Sequence, residues 1–246
     1  NAFLAEGHKL IVDALDNGWD VRQLIVSKNA AQETPVEKLI SRCVASGIDI
    51  LLVSNRILTS LTRRDNPQMV CAVVGRQFGA DDDILAHSEG TWVALDRVRD
   101  PGNLGTIVRT ADALGARGVI FIGDTTDPFA TEAVRATMGS IFAVPLYAMS
   151  EEAFCALASR FSGKVVGTHL AGSVDFRVPA YEDGPTILLM GNEQAGLTEN
   201  LVQACDHLVR IPQAGSADSL NLAIATAICL FHARAHALPA ESTGEA

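Results

Sequence analysis

The sequence lacks the spacings that hold metals. Its five cysteines, Cys43, Cys71, Cys155, Cys205 and Cys229, include no C-x-x-C pair, and none of its six histidines falls at ligand spacing from them. No metal site is expected, and an odd, widely separated set of thiols reads as reduced cysteine in a cytosolic protein. Apolar runs stop short of the roughly 18 residues that a membrane span needs. Positive charge is scarce as well: 19 Lys and Arg stand against 29 Asp and Glu, a formal net charge of −10. That balance excludes a generally adhesive basic binder of nucleic acid, so any contact with a polyanion must use local patches. The deficit is uneven, because residues 1–86 hold 9 basic against 11 acidic side chains and residues 87–246 hold 10 against 18. Neither the G-x-G-x-x-G turn after a strand nor the phosphate loop ending in G-K-[ST] occurs, and nothing suggests a serine or cysteine hydrolase.

What is present is apolar content, 48% against 20% charged, enough for one medium α/β domain and a smaller companion. Gly79, Asp81, Asp82, Asp83 and Gly90 interrupt the apolar periodicity. They divide the chain into a lobe at 1–78, a linker at 79–90 and a domain at 91–240. Residues 241–246 are small and polar, and are expected to be disordered. In the first lobe, Leu10, Ile11, Ala14 and Leu15 share one helical face, predicting a helix over 6–17 that Gly18 stops. Strands at 23–26, 49–53 and 70–74 alternate with helices at 35–45 and 55–61. In the second lobe, strands are expected at 91–95, 118–122, 144–147, 165–168, 186–190 and 208–211. Helices at 103–114, 129–138, 151–161, 198–204 and 219–237 separate and close them. Strands so rich in Val, Ile and Leu, each followed by a helix, predict a mostly parallel sheet covered on both faces. Ligands of such sheets bind outside the carboxyl ends of the strands.

Three loops at those ends are unusual. The first runs D-R-V-R-D-P-G-N-L-G from Asp96. Pro101 and Gly102 force a turn, Asn103 is placed to cap the following helix, and Arg109 lies six residues on, roughly on the face of Asn103. The second, M-G-N-E-Q-A-G-L from Met190, has Gly191 and Gly196 to let a ligand approach the main chain, and Glu193 to accept hydrogen bonds. The third, I-P-Q-A-G-S-A-D-S-L-N from Ile211, ends the strand at Pro212 and offers Asp218 or Ser219 as the cap of the last helix. Exposed amides at such a helix start suit an anion or a ligand carboxylate. Residue spacing alone reaches a two-lobe α/β enzyme with three glycine-containing binding loops.

These loops, in this order, resemble the SpoU/TrmH family of RNA ribose methyltransferases, part of the SPOUT superfamily. The motif N-x-G-x-x-x-R appears as Asn103, Gly105 and Arg109; G-[NS]-E-x-x-G appears as Gly191, Asn192, Glu193 and Gly196. The third, I-P-x-x-G-x-x-x-S-L-N, appears as Ile211, Pro212, Gly215, Ser219, Leu220 and Asn221. Gln213 and Leu222 depart from the residues usual there. The opening A-E-G-H-K-L-I-V-D-A-L looks like the small RNA-binding lobe, similar to a ribosomal-protein fold, that precedes many such domains.

The resemblance implies an α/β architecture in which a small N-terminal RNA-binding lobe precedes a parallel-sheet domain with a C-terminal trefoil knot. It implies S-adenosylmethionine as cofactor, bound near Thr168, Met190, Gly191, Asn192, Gly196, Ile211, Pro212 and Leu220. Arg109 would act on the ribose 2′-hydroxyl as base or orienting group, and Asn103 would position it or the RNA. Glu193 would hold Arg109 or the acceptor nucleotide, while Ser219 and Asn221 would shape the pocket. Lys9, Lys28, Arg56, Arg63 and Arg64 would meet RNA phosphates, giving salt-sensitive affinity without sequence choice. A homodimer would cover the last helix, which is apolar nearly all round through Leu222, Ile224, Ile228 and Leu230. The substrate would be tRNA or rRNA in the cytoplasm. The alternatives are a SPOUT enzyme acting on a base, a non-catalytic RNA-binding factor and, more distantly, a dehydrogenase.

Overall fold

The computed structural model describes residues 1–64, 66–169, 174–216 and 218–239; the expected disordered tail at 241–246 lies outside them. The chain opens on a strand that the sequence pattern does not announce, just ahead of the predicted helix. β1 (Ala2–Glu6) buries Phe3 and Ala5 in alternation, and α1 (His8–Asp16) starts only beyond Gly7, whose φ of 97° no helix accommodates. The helical spacing of Leu10, Ile11 and Ala14 is real but begins at His8. Then follow β2 (Val21–Ser27), α2 (Thr34–Ala45), β3 (Asp49–Val53), α3 (Asn55–Thr62) and β4 (Val70–Gly75). They form a four-stranded sheet in the order β1-β4-β2-β3, with β2 and β3 parallel and the other pairs antiparallel. The stretch at 79–90 is more than a connector, for it holds α4 (Asp81–Leu85). Three aspartates occupy its first turn, where the helix dipole favours them, and Ile84 is fully buried.

The second sheet has seven strands, all parallel. In chain order its elements are β5 (Thr91–Asp96), α5 (Pro101–Ala113), β6 (Gly118–Ile122), α6 (Thr131–Ala136), β7 (Leu146–Met149) and α7 (Glu151–Ala158). The chain continues with β8 (Lys164–Thr168), β9 (Val174–Asp175), β10 (Thr186–Met190), α8 (Glu199–Gln203), β11 (His207–Arg210) and α9 (Leu222–Arg234). Every residue of β5, β6 and β10 is buried, which is why these segments read as unbroken apolar runs. Two-residue β9 is too short to leave a pattern. The spatial order is β7-β6-β5-β10-β8-β11-β9. From β5 the chain builds outward through β6 and β7, then crosses to lay down the other half. β5 and β10 therefore flank the reversal of strand order, where open parallel sheets bind ligands.

The two sheets share one core. Phe3 and Trp19 of the first lobe pack on Phe129 and Phe142 of the second, with ring centroids 4.9 to 6.2 Å apart, and the Trp19 indole donates to the Phe142 carbonyl at 3.0 Å. Arg135 of α6 grips Glu6 of β1 at 2.6 and 3.3 Å and also donates to the Thr62 carbonyl. The Glu6 side chain is 1% exposed, so removing Arg135 would leave a buried charge with only Arg64, at 4.0 Å, beside it, at a cost of up to about 3–5 kcal/mol. Among the described residues no helix is long and apolar enough to cross a membrane.

Candidate active site

All three motif loops lie at the carboxyl ends of the parallel strands, and two of the sequence-predicted caps fall elsewhere. α5 begins at Pro101, and its cap is Asp100, whose Oδ1 accepts the Asn103 N–H at 2.6 Å. Proline at the first helical position decides the start, because its fixed φ and missing N–H suit that place. Asn103 is thereby freed from capping, and its side chain turns into a cleft of about 640 Å³ lined also by Arg97, Arg99, Asn192 and Glu193. α9 in turn starts at Leu222. Asn221, not Asp218 or Ser219, caps it, with Oδ1 accepting from Ala223 at 2.9 Å and Ile224 at 3.3 Å.

The cleft is organised by a chain of side-chain hydrogen bonds. Asn221 Nδ2 donates to Asn103 Oδ1 at 3.0 Å, and Asn103 Nδ2 donates to Glu193 Oε1 at 3.3 Å. The other Glu193 oxygen accepts the Arg99 N–H at 3.4 Å. One residue from each loop is thus joined, and both ends of the Asn103 amide are used. Glu193 meets Asn103 and the Arg99 main chain; among the described residues it makes no hydrogen bond or ion pair with Arg109.

The β10 loop is held by its own asparagine. Asn192 Oδ1 accepts from the Gln194 and Ala195 amides at 3.0 and 2.9 Å, while its Nδ2 donates to the Arg97 carbonyl at 2.8 Å. Gly191 is required by close approach, since a Cβ there would stand 2.7 Å from Gly196 C and Leu197 N. Gly196 is required by its φ of 66°. Arg97 itself was not singled out by the sequence. Its guanidinium makes a bidentate pair with fully buried Asp96 at 2.8 and 2.9 Å, and this bond holds its pKa above the ordinary arginine value.

Arg109 does not share the cleft. Six residues are about 120° short of two helical turns, so Asn103 and Arg109 leave α5 on different faces. Arg109 is exposed and lines a second, largely apolar groove with Thr110, Ala113, Leu114, Ala227 and Phe231, between α5 and α9. On that side α9 leaves Ile224 53% and Phe231 57% exposed, while Cys229 and Leu230 are buried on the other.

The remaining predicted residues fall in two places. Thr168 and Met190 end β8 and β10; Ile211 and Pro212 follow β11; exposed Ser219 and Leu220 precede α9. Ala217 and residues 170–173, beside these positions, lie outside the described residues. In the first lobe, Lys28, Arg56 and Arg63 are exposed near one end of the sheet, where Ser27 Oγ donates to Asn55 Oδ1 at 2.5 Å. Arg64 stands 4.0 Å from buried Glu6. Lys9 is not a free cation: it pairs with Asp13 at 2.5 Å and donates to the Met138 carbonyl of the second lobe at 2.9 Å. Among the described residues no group of three or more His, Cys, Asp or Glu could hold a metal ion.

Residues 90–231 match the SpoU rRNA Methylase family, and residues 1–72 match the MRM3-like substrate binding domain. The chain is 31% identical to the 23S rRNA (guanosine(2553)-2′-O)-methyltransferase of Bacillus subtilis (strain 168), across 95% of this chain and 89% of that one. It is 34% identical to the 23S rRNA (uridine(2479)-2′-O)-methyltransferase of Streptomyces viridochromogenes, across 94% and 82%. Among solved structures, the AdoMet-bound rRNA methyltransferase from Sinorhizobium meliloti superposes with a TM-score of 0.89 at 52% identity, covering 97% of this chain and 88% of that chain. With the family matched across more than half the sequence and such relatives along nearly all of it, the chain belongs to the SpoU rRNA methylase family.

Proposed function

We propose that this protein transfers a methyl group from S-adenosylmethionine to a ribose 2′-hydroxyl of ribosomal RNA, with its active site in the cleft beside β5 and β10. The observation that carries this reading is the Glu193–Asn103–Asn221 chain of hydrogen bonds, which joins three separated motifs at one point. The Bacillus and Streptomyces relatives are named as 2′-O-methyltransferases of 23S rRNA, which favours ribosomal RNA over tRNA and ribose over base.

The residues present fit the cofactor. A Cβ at Gly196 or Gly215 would meet nothing within 4 Å, so both loops leave room beside their main chains. In this reading Thr168, Met190, Gly191, Asn192, Gly196, Ile211, Pro212 and Leu220, at the carboxyl ends of β8, β10 and β11 and before α9, would hold the cofactor, and main-chain donors and acceptors there would read its purine. The bound cofactor supplies an electrophilic methyl carbon on a sulfonium. The chain's task is then to bring a weak nucleophile into line and relieve it of a proton. Glu193 and Asn103 hold the acceptor ribose, Ser219 and Asn221 bound the pocket, and Arg109 acts on the hydroxyl as orienting cation or base.

Arg109 reaches such a site through a homodimer. The apolar groove between α5 and α9 is the face that a second copy covers, and a two-fold pairing there brings the Arg109 of each chain to the cleft of the other. The reading includes a C-terminal trefoil knot, supported by the strand order, in which β10 enters between β5 and β8. Residues 1–78 serve as the RNA-binding lobe and 91–240 as the catalytic domain. Lys28, Arg56 and Arg63 contact phosphate, flanked by Arg64, and Lys9 instead braces the lobes. The compartment is the cytoplasm, where such RNA is modified.

The test is transfer of tritiated methyl from S-adenosylmethionine to unmodified ribosomal RNA, with the product nucleoside identified by mass spectrometry. The expected product is a 2′-O-methyl nucleoside. Label on a base would overturn the reaction, and absence of both label and cofactor binding would leave an RNA-binding factor.

A further inference from the structure

We infer that Arg97 is a positioning residue that sets the shape of the β10 loop and, through it, the affinity for S-adenosylmethionine; this rests on the cofactor reading above. Arg97 is tied to that loop at both ends. Its Nη2 donates to the Gly196 carbonyl at 3.2 Å, and its own carbonyl accepts the Asn192 amide at 2.8 Å. Between these two anchors lie Glu193, Gln194 and Ala195, all of which line the cleft. Asn192 passes the constraint on, because its Oδ1 orders the amides of Gln194 and Ala195.

The residue is itself over-determined. Its φ of 47° lies in the left-handed region, which favours glycine and strains an arginine. Such a conformation persists only where the surroundings impose it. Here the Arg97 N–H donates to the Ile122 carbonyl at 3.1 Å, and the guanidinium fork is fixed by Asp96 at the buried end of β5. The fork leaves one edge for Gly196, so the buried end of β5 is coupled directly to the loop. Lysine cannot reproduce this. A single ammonium can neutralise Asp96, but it has no planar fork to reach the carboxylate and the carbonyl together.

The test uses the full chain, with calorimetric titration of S-adenosylmethionine and, separately, binding of the RNA substrate. Wild type must bind the cofactor, which checks the underlying reading by itself. Arg97→Lys is expected to keep its melting temperature yet bind the cofactor about tenfold or more weaker, with RNA affinity unchanged. Because Arg97→Gly alone would leave Asp96 buried without a partner, the double variant Asp96→Asn/Arg97→Gly accompanies it. Its backbone accepts the positive φ, and the same weakening is expected of it. Wild-type cofactor affinity in both variants would overturn the inference. A loss of RNA affinity with cofactor affinity intact would overturn it too, by making Arg97 a phosphate contact.

Discussion

Helix α5 presents two surfaces of opposite character. On one, Asn103 enters a polar cleft and is fixed at both ends of its amide by Glu193 and Asn221. On the other, Arg109 stands exposed in a groove shared with Ala113, Leu114, Ala227 and Phe231. The cleft is pre-organised within one chain, whereas the groove is an open, largely apolar face that carries Arg109. Two residues of one motif are therefore separated by the turn of the helix, about 120°. A motif is a unit of sequence and need not be a unit of one chain's site. In the proposed dimer each active site takes its amide and carboxylate from one copy and its arginine from the other.

The largest effect expected follows from this. Arg109→Ala should lower methyl transfer by about 100-fold or more, the range typical for loss of a group acting on the proton or the nucleophile. Cofactor binding should survive, because Arg109 is not among the residues proposed to hold the cofactor. Asn103→Ala should be similarly inactive. Mixing the two inactive variants, after dissociation and reassembly, separates the shared-site arrangement from its rival. Half the dimers would be mixed and half their sites intact, so activity should return to about a quarter of wild type. No recovery would mean that Asn103 and Arg109 serve one chain's site, and the comparison of the two faces would lose its meaning.

A smaller effect is expected from the groove itself. Phe231 is 57% exposed, so Phe231→Asp costs the isolated fold little. Placed in a buried interface, the same carboxylate is strongly unfavourable. Sedimentation should show about half the wild-type mass for this variant, with an unchanged melting profile at low concentration. Activity should fall in proportion to dimer lost, and recover partly at high protein concentration. A variant that stays dimeric would move the interface elsewhere.

Much of this arrangement is legible in the sequence, and the parts that are not fail for specific reasons. Proline and glycine between buried strands mark the three loops, and the polar residues the motifs single out, Asn103, Glu193 and Asn221, do meet in space. The cap of α5 is misplaced because Asp100 and Asn103 are both good caps and only Pro101 between them decides. Arg109 is placed on the wrong face because six residues look like two turns and are not. β1 is hidden because its five residues run into a helix, separated only by the positive φ of Gly7. Arg97 carries no local signal at all. Its partners Asn192 and Gly196 are about a hundred residues away, so its role exists only once β5 and β10 are neighbours.

The smallest effect belongs to the residue that joins the two faces. Asn221 uses its oxygen to cap α9, the helix that carries the groove, and its amide to hold Asn103 in the cleft. The two tasks can be separated by substitution. Asn221→Asp keeps a good capping oxygen but loses the donor and sets a carboxylate against the Asn103 oxygen. Its melting temperature should stay near wild type while methyl transfer falls. Asn221→Ala loses the cap as well, worth about 1 kcal/mol, which for a chain of this length is a drop of about 2–4 °C in Tm. If instead Asn221→Asp retained full activity, the hydrogen-bond chain would be no more than a structural brace. The cleft would then owe its chemistry to Glu193 and the main chain, and would resemble the groove more closely than the geometry suggests.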